Sequence, residues 1–361
     1  MSYKIIFFIF LGFVFQNLRA QDPGFSQIFA NRLYLNPAYA GANNGMRLAV
    51  NHRQLWPGVP GPFYTFGLGL DVRAPGVSGG IGLTLMNDVR GEGFLKTNKI
   101  GFVYSYRNLI GKYDRSSTEF SFGVEPAVVN KNIDWSKFEF SDQFDPVFGK
   151  IFQSAATPPP SASITYMDIA AGFTFNHRIK TNAADYYFGW GGAMQHLTRP
   201  TETFVGTTRT VPIKYSFTGG GMLPVSDGRS PTPTFLFPHF RYERQGSFQA
   251  VNAGMYFYKY PAFVGINYDN SPKFQQGKNT NSLIVTLGLI GGWGEANSYQ
   301  ISYSYDLNAT GLGGGTYGSH ELALVFSFDS FKLANLGKGG EAKRKLLNCM
   351  DFPHKGVFRM F

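Results

Sequence analysis

Between Tyr299 and Leu307 every second residue is large and apolar. Tyr299, Ile301, Tyr303, Tyr305 and Leu307 alternate with Gln300, Ser302, Ser304 and Asp306. A period of two places the two sets on opposite faces of an extended strand, and no helix keeps such a pattern on one side. The alternation recurs in Tyr64, Phe66, Leu68, Leu70 and Val72, in Leu283, Val285, Leu287 and Leu289, and in Val264, Ile266 and Tyr268. Scanning the whole chain gives about 14 strands, near 46–56, 63–73, 79–88, 98–108, 117–130, 163–177, 184–196, 210–223, 234–244, 246–258, 260–269, 281–290, 297–307 and 319–328. An even count suits a closed antiparallel barrel.

The chemistry of the two faces says where such a barrel would sit. One face carries Phe, Tyr, Trp, Leu and Ile. The other carries Gly, Ser, Thr and sparse charges: Asp71, Arg107, Glu125, Arg241, Asp269, Asp306 and Glu321. A soluble sandwich would turn a Lys- and Glu-rich face to water. Here only 16% of residues are charged, against about 25% in soluble domains. Aromatics reach 17%, and there are 44 glycines. An aromatic outer face and a polar inner one are what a bilayer favours, because charge on the lipid face is costly at midplane. The expected fold is therefore an all-β transmembrane antiparallel barrel in the outer membrane. Its inward charges are few and mixed in sign, which predicts pairing within a filled lumen over a wet channel.

Residues 1–20 read as an export signal. Lys4 precedes an unbroken apolar run from Ile5 to Phe15, and Ala20 stands before Gln21 at the expected cut. Eleven apolar residues are too few for a spanning helix, which needs about 20. Residues 21–45 then form a lead-in, 46–331 the barrel, and 332–361 a basic tail placed in the periplasm. Of the formal charge of +10, the tail holds +5 and the signal +2, leaving +3 for the body. The basicity thus lies in one end and gives no argument for nucleic acid. Cys349 is the only cysteine, so no internal disulfide can form. With both ends in the periplasm, the long stretches 131–162, 197–209 and 270–280 face outward, the usual asymmetry of such barrels.

Four stretches carry a resemblance to a known family: FSQIFANRLYLNPAYAGANNGMR at 25–47, GGIGLTLMNDVRGEG at 79–93, SDQFDPVFG at 141–149 and ISYSYDLNATGLGGGTYGSHELALVFSF at 301–328. Together they resemble the PorP/SprF membrane proteins of the Bacteroidetes type IX secretion system. Departures are His52, in a first strand that often reads Tyr-Arg, and the basic tail. The resemblance implies a non-catalytic component of the secretion and gliding machinery. It further implies docking to periplasmic ring or peptidoglycan-linked proteins, and support for export or surface attachment of a partner such as a large adhesin. It carries over Asn36, Pro37, Ala38, Tyr39, Gly41, Asp88, His320, Glu321 and Phe328 as signature positions with structural roles.

Individual sites are few. Asn36 to Tyr39 reads as a turn into the first strand, with a plug or docking strap as the functional alternative. Trp135, Phe138, Phe140, Phe144 and Phe148 crowd one outward loop beyond what a solvated loop needs. We expect that loop to fold over the barrel mouth, with partner contact as the alternative. Lys343, Arg344 and Lys345 suit contact with lipid headgroups or an acidic protein, or a solvated end. His320 to Phe328, with Leu322, Leu324, Phe326 and Phe328 on one face, is the expected closing strand. The six histidines lack metal-ligand spacing, and no nucleophile elbow or phosphate loop stands in a strand-to-helix context. Catalytic residues, metal and cofactors are therefore not expected. The main rival is a passive porin or small-molecule transporter, ahead of an enzyme assembled across strands.

Overall fold

Alternating sequences pair most completely when a sheet closes on itself, since closure leaves no edge. The computed structural model shows that closure. It describes residues 22–43, 45–91, 94–110, 116–181, 185–204, 209–226, 234–271, 280–293, 297–308, 314–329 and 331. The expected export signal and the basic tail, with Lys343, Arg344, Lys345 and Cys349, lie outside the described residues. The strands are β1 (Met46–Leu55), β2 (Phe63–Ala74), β3 (Gly79–Arg90), β4 (Leu95–Ile110), β5 (Ser116–Asn132), β6 (Ser163–Lys180) and β7 (Asp185–Gln195). They continue with β8 (Lys214–Pro224), β9 (Thr234–Gln245), β10 (Phe248–Lys259), β11 (Ala262–Ser271), β12 (Thr280–Trp293), β13 (Asn297–Asn308) and β14 (Ser319–Phe328). All neighbours are antiparallel, and β14 closes on β1 in unbroken register from Met46 opposite Phe328 to Leu55 opposite Ser319.

The fourteen-strand count holds, and two differences from the sequence reading have clear causes. β8 begins at Lys214 instead of 210, because Val211 already donates its N–H to the Pro200 carbonyl and Pro212 has none to give. β4, β5 and β6 outrun their apolar patterns. On their outward faces Leu85, Ile100, Val128 and Met167 stand side by side across β3 to β6. One step outward the next row is Asn87, Asn98, Asn130 and Thr165. Backbone pairing continues past the lipid, where the side chains no longer need to be apolar.

Two different things fill the lumen. On the β8–β12 side the wall does so itself: Met222, Phe235, Phe237, Tyr256, Tyr258, Phe263 and Ile290 form a buried inward cluster. On the β1–β7 side glycines interrupt the inward rows, and residues 22–43 occupy the space. Asn36 to Tyr39, read from the sequence as a turn into the first strand with a plug as the alternative, thus lies inside the barrel. The segment is an internal plug, its one helical turn (Arg32–Leu35) and 3-10 turn (Pro37–Tyr39) enclosed by strands.

Candidate functional site

The plug holds its place through a wall shaped for it. A Cβ on Gly123 would strike the Pro37–Ala38 backbone, one on Gly172 the Asn36 amide, and one on Gly80 the backbone of Gly41. Gly41 itself has φ +64°, a conformation that glycine adopts without strain. These close approaches let backbone groups of the plug reach side chains of the wall.

The path is a double pass. Asp22 and Gly24 lie at the long-loop end, bonded to Gln245 and Arg53. The chain descends through Ser26 and Gln27 to Phe29 and Ala30, whose carbonyls accept from Arg47 at 3.1 and 2.9 Å. It climbs to Tyr34, whose carbonyl accepts from the Gln195 amide at 2.9 Å. It then descends again past Asn36, whose amide donates to the Phe173 and Gly192 carbonyls at 3.0 and 3.1 Å. At the base, Arg107 donates to the Ala38 and Ala40 carbonyls at 2.9 and 3.1 Å while pairing with Glu119. Asp71 accepts from the Gly41 N–H at 2.8 Å.

Buried charge survives only when paired or richly hydrogen-bonded, and the inward charges found in the sequence meet that condition in one way or the other. Glu321, 1% exposed, accepts from the Ser26 N–H at 2.6 Å and from the Asn51 amide at 2.7 Å. Asp306 accepts from Ser26 Oγ and pairs with Arg53, both at 2.7 Å. Glu125 pairs with Lys99 at 3.1 Å, and Arg241 lies 3.6 Å from Asp269.

Sequence reasoning missed the tie at the outer mouth. His196 follows β7 at φ +60°, a left-handed value that a non-glycine residue keeps only when its surroundings impose it. Its Nε2 faces Asp22 and its Nδ1 faces Asp168, each at 2.7 Å. Burial alone would lower the imidazole pKa, but hydrogen bonds to Asp168 and Asp22 outweigh it and raise the pKa to about 9. Burial would likewise raise the Asp22 carboxyl, but His196 outweighs it and holds Asp22 well below the usual range. The His196 contribution is full below its unfolded pKa of about 6.5 and is lost as pH rises through about 9. The Asp22 contribution is present above about 4 and is lost as pH falls through its depressed folded value. The midpoint of heat-modifiability, followed from neutral to alkaline pH, should therefore drop near pH 9 in the wild type. That step should be missing in His196→Gln, and equal profiles would dissociate the histidine from plug retention.

The other signature positions divide between the two faces. Asp88 faces inward, bonded to Thr65 at 2.6 Å and Arg90 at 2.7 Å. His320 faces outward and shares a 2.6 Å hydrogen bond with the Tyr303 hydroxyl. Phe328 packs against Trp293 at the opposite rim, 5.6 Å between centroids. The aromatic loop, expected to fold over the mouth, leaves its far end exposed. Trp135, Phe138 and Phe140 cluster with one another, and beyond them a short hairpin pairs Phe144 with Lys150. Phe144 is exposed, and at the hairpin tip Val147 is 80% and Phe148 75% exposed. Among the described residues no cluster of His, Cys, Asp or Glu could hold a metal ion.

The family model described as "Type IX secretion system membrane protein PorP/SprF" matches residues 17–326. The chain belongs to the PorP/SprF family. It is an outer-membrane β-barrel. No curated protein matches it. Among solved structures it is similar to the CymD monoaromatic hydrocarbon channel, at 12% identity and TM-score 0.40, over 83% of this chain and 91% of that one. A Pseudomonas aeruginosa FadL homologue matches at 11% and 0.39, over 83% and 94%. The Ralstonia pickettii toluene transporter TbuX matches at 10% and 0.40, over 81% and 91%.

Proposed function

We propose that this PorP/SprF barrel is a closed platform of the type IX secretion and gliding machinery, which holds partners on its two faces. The observation that carries the reading is the filled lumen. Inward residues from mid-depth to the base, such as Asn51, Ser105, Ser121 and Thr174, are fully buried under plug and wall. A porin needs a wet passage at that depth, and the plug occupies its place. The surfaces left for function are then the two rims.

On the outer rim, the hairpin with Phe144 and Phe148 offers large rigid side chains, which bury much area for few rotatable bonds. Its partner in this reading is a secreted surface protein such as an adhesin. On the periplasmic side, Lys343, Arg344 and Lys345 of the tail would steer association with acidic ring or peptidoglycan-linked proteins, as exposed charge does. Crosslinking in whole cells, with 141–153 and 333–361 deleted separately, tests both faces. Each deletion should abolish one set of crosslinks and leave the other. Normal export and surface display in both variants would reject the platform reading.

A further inference from the structure

Above the lipid-facing wall of β3 and β4 lies a basic patch that neither rim partner uses. Phe94, in the turn between these strands, has Lys96 Nζ 6.0 Å and Lys137 Nζ 5.9 Å from its ring centroid. Lys96 comes from the outward face of β4, whereas Lys137 comes from the base of the aromatic loop. Both lysines are exposed, and neither has a carboxylate within 4 Å among the described residues. Among the described residues Asp134 lies near enough to both lysines to interact with their charges, but its Oδ1 is taken up by its own loop, accepting from the Ser136 hydroxyl at 2.6 Å and the Ser136 N–H at 3.2 Å. Two ammonium groups beside one ring present a local positive charge that a further anion can meet.

The height of the patch identifies the anion. Ile100 is the last large apolar residue on the outward face of β4, followed by Asn98 and Lys96. At about 3.3 Å per residue and a strand tilt of about 40°, the Lys96 backbone stands ~10 Å further out than Ile100. The headgroup layer begins where the apolar row ends and is about 5–8 Å thick, so the backbone lies just above the layer and the long side chain reaches back to its phosphates. The row directly beneath is amide and hydroxyl across four strands: Asn87 donates to Asn98 at 2.7 Å, and Asn130 to Thr165 at 2.8 Å. Such a row bonds sugar hydroxyls as readily as water.

We propose that Lys96 and Lys137, seated on Phe94, bind a phosphate of an outer-leaflet glycolipid headgroup, with the Asn87–Thr165 row against its sugar. The ammonium groups act as point charges toward phosphate, and the loop base carrying Trp135 is thereby fixed at the membrane surface. The patch divides the aromatic loop into a lipid-held base and a free hairpin. This reading stands whether or not the hairpin has a protein partner.

The test is native mass spectrometry of the full-length barrel in a neutral detergent, titrated with lipid A and, separately, with phosphatidylglycerol. Wild type should retain lipid A at least tenfold more tightly than Lys96→Gln/Lys137→Gln. Lys150→Gln, at a lysine paired with Glu139, should bind as wild type does. If the double variant fails to become heat-modifiable, Lys96→Gln alone should show a reduction of several-fold. Unchanged lipid A retention in whichever variant folds overturns the site. Equal retention of phosphatidylglycerol overturns the glycolipid assignment.

Discussion

Removing residues 22–43 should convert a barrel that passes no current into one that conducts in discrete steps. The strand ladder does not depend on the plug, since every barrel strand is paired on both sides by backbone hydrogen bonds. The charges that the plug satisfies, Arg47, Arg107, Asp306 and Glu321 among them, would be hydrated by incoming water instead of being orphaned. Fourteen strands lie between the small barrels that side chains fill and the larger porins that leave a channel. The aromatic cluster of Phe235, Phe237, Tyr256 and Tyr258 stays on its own wall, so the opening should be narrower than that of a porin. Planar-bilayer recording of both proteins checks this, and a peptide of residues 22–43 added to the deleted barrel should reduce the current. An equally silent deleted barrel would show that the aromatic wall alone closes the lumen.

The strands were legible because each reports its own environment locally. An outward residue faces lipid and an inward one faces polar groups, so Tyr64 to Val72 declares its two faces with no knowledge of its neighbours. The inward charges were legible for the same reason, including their pairing. The plug was not. Asn36 meets Phe173 and Gly192 across 137 and 156 residues of chain, and nothing local in Asn-Pro-Ala-Tyr separates a buried turn from an exposed one. A signal did exist in the wall: Gly67, Gly69, Gly82, Gly123, Gly172 and Gly191 all lie on inward faces of β2 to β7, where β9 and β10 carry Phe and Tyr. A half-lumen lined by glycine needs a filler. The extended ends of β4 to β6 escaped for the opposite reason, since beyond the lipid the pattern that marks a strand disappears while its hydrogen bonds continue. His196 carries no pattern, and only the fold brings Asp22 and Asp168 to its two nitrogens.

Glu321→Leu should cost about 3–5 kcal/mol in the plugged barrel, since each buried donor left without its acceptor costs about 1–3 kcal/mol. Three donors would lose their acceptor at once: the N–H groups of Ser26 and Gln27, and the Asn51 amide. Two of these belong to the plug and one to β1, so Glu321 ties the plug to the seam where β1 meets β14. The position therefore joins two ends of the chain that the sequence shows only as separate motifs. A double-mutant cycle separates its two roles. In the barrel lacking 22–43 the plug donors are absent and water reaches the site, so Glu321→Leu should cost far less there, about 1 kcal/mol for the remaining Asn51 bond. Midpoints of heat-modifiability for the four proteins give the coupling. A penalty of equal size in both backgrounds would assign Glu321 to barrel closure alone, and the plug would then be held by Arg107, Asp71 and the His196 tie.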